Sequence, residues 1–294
     1  PKPLLKVMNK EILKHNLDAL QGLVGEVLVI VGFKKEMIID GIGHKYGKLN
    51  IQYVEQKAQL GTGHALKCVE HLIKNKFVVL GGDDIFSRKD IQSCLRHKYA
   101  VLGCKVENPS RFGVFVLAGK EVRKVVEKPQ TYVSDIANTG LYVFDKNVFK
   151  FKLKKSPRGE YEIIDYINEL VKEEKVVCEE VKGHWLSVGY PWDLIQVNNV
   201  LVSEIKNEIK GKIEKNVTVK GKIHVGKGTV ILSGTYIDGN IVIGENCTIG
   251  PNCFLRGNTS IGNNCHIGQA VEIKNSIIMD KAKVPHLSYI GDSV

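Results

Sequence analysis

From Ile213 onward an aliphatic side chain returns every six residues, and this feature narrows the folding options of the chain more than any other. The series runs Ile213, Val219, Val225, Ile231, Ile237, Ile243, Ile249, Leu255, Ile261, Ile267, Ile273 and Met279. A helix buries residues at a spacing near 3.6 and an antiparallel strand alternates, so neither produces a period of six. Short flat strands joined by turns do, with three strands closing a triangular coil of about 18 residues. Stacked coils would bury the aliphatics as one column. Glycine often follows the column residue, at Gly226, Gly244, Gly250, Gly262 and Gly268. It is expected to relieve corners where φ turns positive.

The same frame accounts for three cysteines. Cys247, Cys253 and Cys265 each lie four residues after a column position. Thr229, Thr235, Thr259, Val217, Ile223, Ile241 and Val271 take that slot elsewhere. The slot therefore wants a small or apolar inward side chain, and the thiols are expected to pack rather than to bind metal. After Met279 the frame slips by one, to Ile278, Val284 and Ile290. The slip points to a loop or bulge around Pro285, His286, Leu287 and Ser288.

Residues 1 to about 190 read differently. Val27–Val31, Phe77–Leu80, Ala100–Val106, Gly113–Leu117 and Gly140–Phe144 have the composition of strands, and Lys10–Leu23, Gly63–Ile73 and Tyr161–Val171 that of helices. Alternation of this kind predicts an α/β layer fold with a largely parallel sheet, whose ligands sit at the carboxyl ends of the strands. The expected organisation is an α/β domain over 1–190, a linking helix within 191–210 and a coil domain over 211–294.

Several segments look chemical. Gln56 to Ala65 places Gly61 and Gly63 just before a helix, where backbone N–H groups can approach a base or phosphate. Val79-Leu80-Gly81-Gly82-Asp83-Asp84 ends an apolar strand in two carboxylates, a position suited to holding Mg²⁺ against phosphates. Glu127-Lys128-Pro129 and Asn138-Thr139-Gly140 offer polar groups beside strands, and Arg158-Gly159-Glu160-Tyr161-Glu162 precedes a helix; each suits sugar-hydroxyl recognition and loop chemistry equally. Arg256 and Lys274 are 18 apart, so the period stacks them one coil above the other.

The 294 residues suit two domains. A net charge of +10, from 42 basic against 32 acidic residues, suits anionic small substrates. No block of five basic residues favours nucleic acid, and no run of 18 apolar residues favours a membrane span. Seven cysteines without a C-x-x-C pair point to a reducing compartment, and a cytoplasmic location is expected. The opening Pro1-Lys2-Pro3 and the closing Gly291-Asp292-Ser293-Val294 both read as interrupted patterns, so the chain is expected to be cut at both ends.

Pro1-Lys2-Pro3, Gln56…Gly61-Thr62-Gly63-His64-Ala65, Gly82-Asp83, Glu127-Lys128-Pro129, Asn138-Thr139-Gly140, Gly159-Glu160 and Trp185…Gly189 follow one another in this order. Together with the repeat, the series resembles the sugar-nucleotidyltransferase family fused to a left-handed parallel β-helix of hexapeptide repeats. The closest likeness is to its bifunctional uridylyltransferase/acetyltransferase form, the archaeal and thermophile type. The resemblance implies a Rossmann-like nucleotidyltransferase domain and two activities. One is Mg²⁺-dependent uridylyl transfer from UTP to N-acetylglucosamine-1-phosphate, and the other is N-acetylation of glucosamine-1-phosphate by acetyl-CoA.

Site roles follow by the same resemblance. Gln56, Gly61 and Thr62 would contact the pyrimidine. Lys2 would touch the sugar phosphate, with Lys128 near phosphate, while Gly113, Glu127, Asn138 and Glu160 would hold the sugar. Asp83 would bind Mg²⁺. Ser187 stands where many relatives carry a second metal-binding Asp, and Asp193 or Asn198 is the replacement considered. The glycine-rich Gly-Thr-Arg loop of the family is not in the sequence. In the coils, His286 would act as general base, Arg256 and Lys274 would grip the sugar phosphate, and Tyr289 would orient the substrate. A homotrimer, or a dimer of trimers, is implied. Two other readings stand beside this one: a glucose-1-phosphate thymidylyltransferase or similar enzyme whose β-helix only assembles, and a regulatory homologue that binds nucleotide sugars without turnover.

Overall fold

The computed structural model describes residues 1–294 as two compact units. The first comprises Pro1–Leu4 and Leu13–Leu186, the second Leu5–Ile12 and Ser187–Val294.

In the first unit, strands Glu26–Val31 and Leu49–Glu55 run parallel, joined through helix Lys35–Ile42. Their carboxyl ends are level, with Val31 opposite Glu55, so Gly32 and Gln56 emerge side by side. A six-stranded sheet has the order Phe77–Val79, Ile136–Phe144, Ala100–Lys105, Val177–Glu180, Glu121–Glu127, Gly113–Ala118. The expectation of a largely parallel sheet is corrected here. Only Val177–Glu180 runs parallel to its neighbour Ala100–Lys105, and the remaining pairings are antiparallel. The reason is connection length. Only Gly119 and Lys120 separate Gly113–Ala118 from Glu121–Glu127, and a two-residue link can only reverse the chain.

Successive residues of the central strands enter opposite cores. Val101, Tyr142 and Phe144 pack with Phe115 and Tyr166 on one side, while Leu102, Leu141 and Val143 pack with Leu17 and Phe86 on the other. That double burial explains why these strands read as continuous apolar runs. The helices are shorter than expected, at Ile12–Leu20, Thr62–Lys67 and Ile164–Leu170. Helix Arg88–Leu95, which packs Ile91, Cys94 and Leu95 on the core, was not foreseen; Ser87 caps it by accepting from Asp90 N.

The second unit is a parallel β-helix with three strand faces. One face is Thr218–Lys220, Tyr236–Asp238, Phe254–Arg256, Glu272–Lys274 and Tyr289–Gly291, paired in that order. Ile231, Ile237, Ile243, Ile249, Leu255, Ile261, Ile267 and Ile273 are fully buried in the column. Each such burial stabilises by about 1.5–3 kcal/mol. Cys247, Cys253 and Cys265 are buried beside them, as the inward slot requires.

Three details of the repeat differ from expectation. Met279 is 36% exposed and stands outside the column, whereas Val219, in register with Ile237, continues the column at its first rung and is 38% exposed there. The frame slip is not a loop at Pro285–Ser288. Arg256 pairs Lys274, 18 residues on, whereas Ser260 pairs Ile277, 17 on. One residue is therefore lost at the Asn275–Ser276 corner, and every later position moves forward by one. Finally, of the glycines that follow a column residue Gly250 has the expected positive φ, at 95°, and elsewhere positive φ falls three residues after the column position, at Asn216, Gly228, Gly234, Asn246, Asn252 and Asn264. Gly226 and Gly244 serve close approach instead: a Cβ on Gly226 would lie 2.5 Å from the Gly244 carbonyl of the next coil.

Helix Asp193–Ser203 belongs to this unit, with Val202 and Ile205 packed on Val242. So does a hairpin, Lys6–Val7 against Lys10–Glu11, turned by Met8 and Asn9 at φ 49° and 61°. Met8 N donates to Asn198 Oδ1 at 2.9 Å, Asn9 Nδ2 to the Ile261 carbonyl at 2.6 Å, and Lys6 pairs Asp280 at 2.6 Å. These bonds set Leu5–Ile12 with the coils, although the sequence had grouped it with the α/β domain. No helix is long and apolar enough to cross a membrane.

Candidate functional sites

Three predicted clusters of the first unit form as geometric neighbourhoods. Near the start of the chain, Lys2 Nζ donates to Asp83 Oδ2 at 2.8 Å. Asp83 follows strand Phe77–Val79, and its side chain is 48% exposed. The adjacent Asp84 is taken: its Oδ2 accepts from Trp185 Nε1 at 3.0 Å, and its carbonyl accepts from Asn16 Nδ2.

The second cluster lies beyond Leu49–Glu55. Gln56 Nε2 donates to the Gly61 carbonyl and to His64 Nδ1, both at 3.0 Å. Gly61 has φ 104°, and a Cβ there would strike the Tyr161 carbonyl at 2.5 Å. Backbone bonds Tyr161 N to Leu60 O and Gly63 N to Tyr161 O tie this loop to the Glu160 segment. The Thr62 hydroxyl accepts from Ile163 N, so its side chain fastens the two loops together. Helix Thr62–Lys67 is too short to supply much of a dipole, so the loop's own polar atoms set the chemistry.

The third cluster joins Gly113, Glu127 and Asn138. Gly113 pairs Glu127 across the hairpin, and a Cβ on Gly113 would meet Glu127 Oε2 at 2.8 Å and Asn138 Cβ at 3.6 Å. Asn138 Nδ2 donates to the Tyr142 hydroxyl at 2.8 Å. Burial, aided by the neighbouring Glu162 carboxylate, pushes the Glu127 carboxyl above its ordinary range. Arg158 bridges the two acids, at 3.4 Å from Glu127 and 2.9 Å from Glu162. The sequence reading offered the Arg158–Glu162 segment for sugar-hydroxyl recognition or loop chemistry, but gave no role to Tyr142 or His64. The i, i+4 spacing of Arg158 and Glu162 was the available signal for their pairing. Lys128 has φ 40° and its backbone N–H donates to Phe112 O.

Asn198, considered as a metal ligand, has its side-chain amide committed within the protein. It is 1% exposed; its Oδ1 accepts from Met8 N and from Ser260 Oγ, and its Nδ2 donates to Asn258 O. Asp193 is likewise committed, accepting from Gly189 N and Tyr190 N at 2.8 Å each. No group of three or more His, Cys, Asp or Glu side chains is arranged to hold a metal ion. A half-exposed acid such as Asp83 fits a hard divalent cation whose other ligands are phosphate oxygens and water.

On the β-helix, the period placed Arg256 and Lys274 correctly: they are register partners on adjacent coils. Glu272, which the sequence reading passed over, holds Arg256 through Nε at 2.7 Å and Nη2 at 2.6 Å. Tyr289 stacks in register on Glu272 and is 61% exposed. Lys274 pairs Asp292 at 3.3 Å, and Asn275 and Lys274 hold the Asp292 carboxyl below its usual range. His286 lies on the exposed corner leading into the same face. Its Nδ1 accepts from Gln269 N at 2.7 Å, so the neutral ring carries its proton on Nε2. Its hydrogen bond goes to that corner and not to Arg256, Lys274 or Tyr289.

Known proteins extend these observations. Residues 1–204 match the family model described as nucleotidyl transferase, and residues 237–294 match one described as the GMPPB C-terminal domain. A bifunctional protein GlmU from Methanocaldococcus jannaschii is 39% identical over the whole chain, which spans 72% of that relative. A bifunctional sugar-1-phosphate nucleotidylyltransferase/acetyltransferase from Sulfurisphaera tokodaii is 35% identical, again over the whole chain and 74% of the relative. Among solved structures, one described as a glucose-1-phosphate thymidylyltransferase from Bacillus anthracis superposes with a TM-score of 0.63 at 29% identity, covering 70% of this chain and 88% of that one. With similarity running through both the α/β unit and the coils, the chain belongs to the bifunctional GlmU family of sugar-1-phosphate nucleotidylyltransferase/acetyltransferases.

Proposed function

We propose that the protein makes UDP-N-acetylglucosamine in two steps. Its coils acetylate glucosamine-1-phosphate from acetyl-CoA. Its α/β unit transfers uridylyl from UTP to N-acetylglucosamine-1-phosphate, releasing pyrophosphate. The observation that carries the bifunctional reading over a purely structural β-helix is the coil face itself. Two cations in register, a carboxylate fixing one of them, and an exposed phenol are what a sugar phosphate requires, and assembly requires none of them.

In the α/β unit, Gln56 and the Gly61 loop bind the pyrimidine, while Gly113, Glu127, Asn138 and Glu160 bind the sugar. Lys2 and Lys128 meet phosphate. Asp83 holds Mg²⁺, which when bound neutralises phosphate charge. Positioning and charge neutralisation are the main demands of this reaction, so no covalent nucleophile is needed.

In the coils, Arg256 and Lys274 grip the phosphate of glucosamine-1-phosphate and Tyr289 orients the sugar. The amine attacks the thioester only after losing a proton, and His286 is the base. The lone pair of its neutral ring lies on Nδ1 against Gln269 N–H, so the ring turns away from Gln269 to take that proton. The exposed corner leaves room for the turn. The active species is a homotrimer or a dimer of trimers in the cytoplasm, and its exposed Leu287 is available for coil-to-coil contact.

The test uses the full-length protein with two assays. His286→Ala is expected to abolish acetyl transfer and leave nucleotidyl transfer intact. Equal loss of both activities would overturn the division of labour, and a monomer by light scattering would overturn the assembly.

A further inference from the structure

Gln56 uses both N–H groups of its side-chain amide within the protein, on the Gly61 carbonyl and on His64 Nδ1, each at 3.0 Å. The Gly61 carbonyl can only accept, so the amide nitrogen must face it. The same nitrogen meets the imidazole, which must therefore accept at Nδ1 and carry its proton on Nε2. Gln56 Oε1 is left without a hydrogen-bond partner from the protein.

We propose that His64 is a specificity-determining positioning residue: by taking the second amide N–H it fixes Gln56 Oε1 as the atom offered to the nucleobase. The site then takes a base that presents an N–H at that edge, as the imide of uracil does. It rejects one that presents a lone pair there, as N3 of cytosine does. A flipped amide would set oxygen against the Gly61 carbonyl, and against the His64 lone pair as well while the ring keeps its Nε2–H tautomer. Without His64 only the Gly61 carbonyl opposes the flip. Selectivity built on a hydrogen bond is also the more discriminating kind, because the wrong base leaves polar atoms unpaired.

The inference rests on the reading of Gln56 as a base contact, and the experiment separates the two. Full-length wild type, His64→Ala, His64→Phe, His64→Asn and Gln56→Ala are compared for kcat/KM with UTP and with CTP, using one sugar phosphate, and thermal unfolding checks that each is folded. The UTP-to-CTP ratio is expected to fall about 5- to 10-fold in His64→Ala and His64→Phe, the effect of losing one neutral hydrogen bond. His64→Asn, which offers a carbonyl acceptor, is expected to recover part of it. If both nucleotides lose rate equally in the folded His64 variants, the residue is merely structural and the proposal falls. If Gln56→Ala also leaves the ratio unchanged, the base-site reading falls with it. A ratio that collapses in Gln56→Ala but not in the His64 variants overturns the role of His64 alone.

Discussion

Lys2 Nζ and Asp83 Oδ2 stand 2.8 Å apart, so the cation assigned to a phosphate and the anion assigned to a metal neutralise each other in the free protein. Both are well exposed, so the pair itself adds little stability. Its disruption by incoming phosphate and metal costs correspondingly little. Lys2→Ala is expected to lower nucleotidyl transfer by about 10²-fold, the scale of losing one transition-state charge partner. It should also let Mg²⁺ bind more tightly in the absence of substrate. Separate activity assays and Mg²⁺ titration calorimetry check both, and acetyl transfer should not change.

Asn198→Asp distinguishes structural from metal-binding use of this position. The added carboxylate would strengthen a metal site. In the observed arrangement it replaces the Nδ2 donor to Asn258 O with an acceptor in a buried setting. The expected outcome is a loss of about 1–3 kcal/mol in denaturant unfolding. The Mg²⁺ dependence of the folded fraction should stay the same.

Ile278→Ala and Met279→Ala test the one-residue slip. Ile278 is 7% exposed and Met279 36%. The first should cost about 2–4 kcal/mol and the second under about 1 kcal/mol, measured by denaturant unfolding. The reverse order would restore the unbroken six-residue frame.

Glu127→Gln should separate stability from activity. The Glu127 carboxyl is raised by burial and by Glu162, so the folded protein binds more protons than the unfolded one between the ordinary and the raised value. Stability declines as pH rises through that window and stays lower above it. Glutamine cannot ionise. The variant is expected to have a higher Tm than wild type at pH 8, with the gap closing towards about pH 4. KM for the sugar phosphate should rise. A Tm gap that does not vary with pH would show that the carboxylate charge is not the cause.

Much of this molecule was legible before any coordinates. A period of six leaves few alternatives, because only one kind of coil returns a residue to the same inward position with that spacing; Ile231 to Ile273 and the three coil cysteines fell where the period put them. The order of the loop motifs pointed to the family, and Gln56 and Asp83 follow strands Leu49–Glu55 and Phe77–Val79, whose apolar residues are visible in the sequence. Tertiary structure decided what pairs with what. The hairpin at Met8–Asn9 joins the coils because Asn198 and Ile261 supply its partners, and these lie about 190 and 250 residues along the chain. Asn198 became a buried junction, and Glu272 and His64 acquired neighbours, through contacts that a local pattern does not encode. Periodicity reports which side of an element is buried, because burial repeats along the chain. Hydrogen-bond partners depend on a single geometry reached once, after folding, and leave no repeat to read.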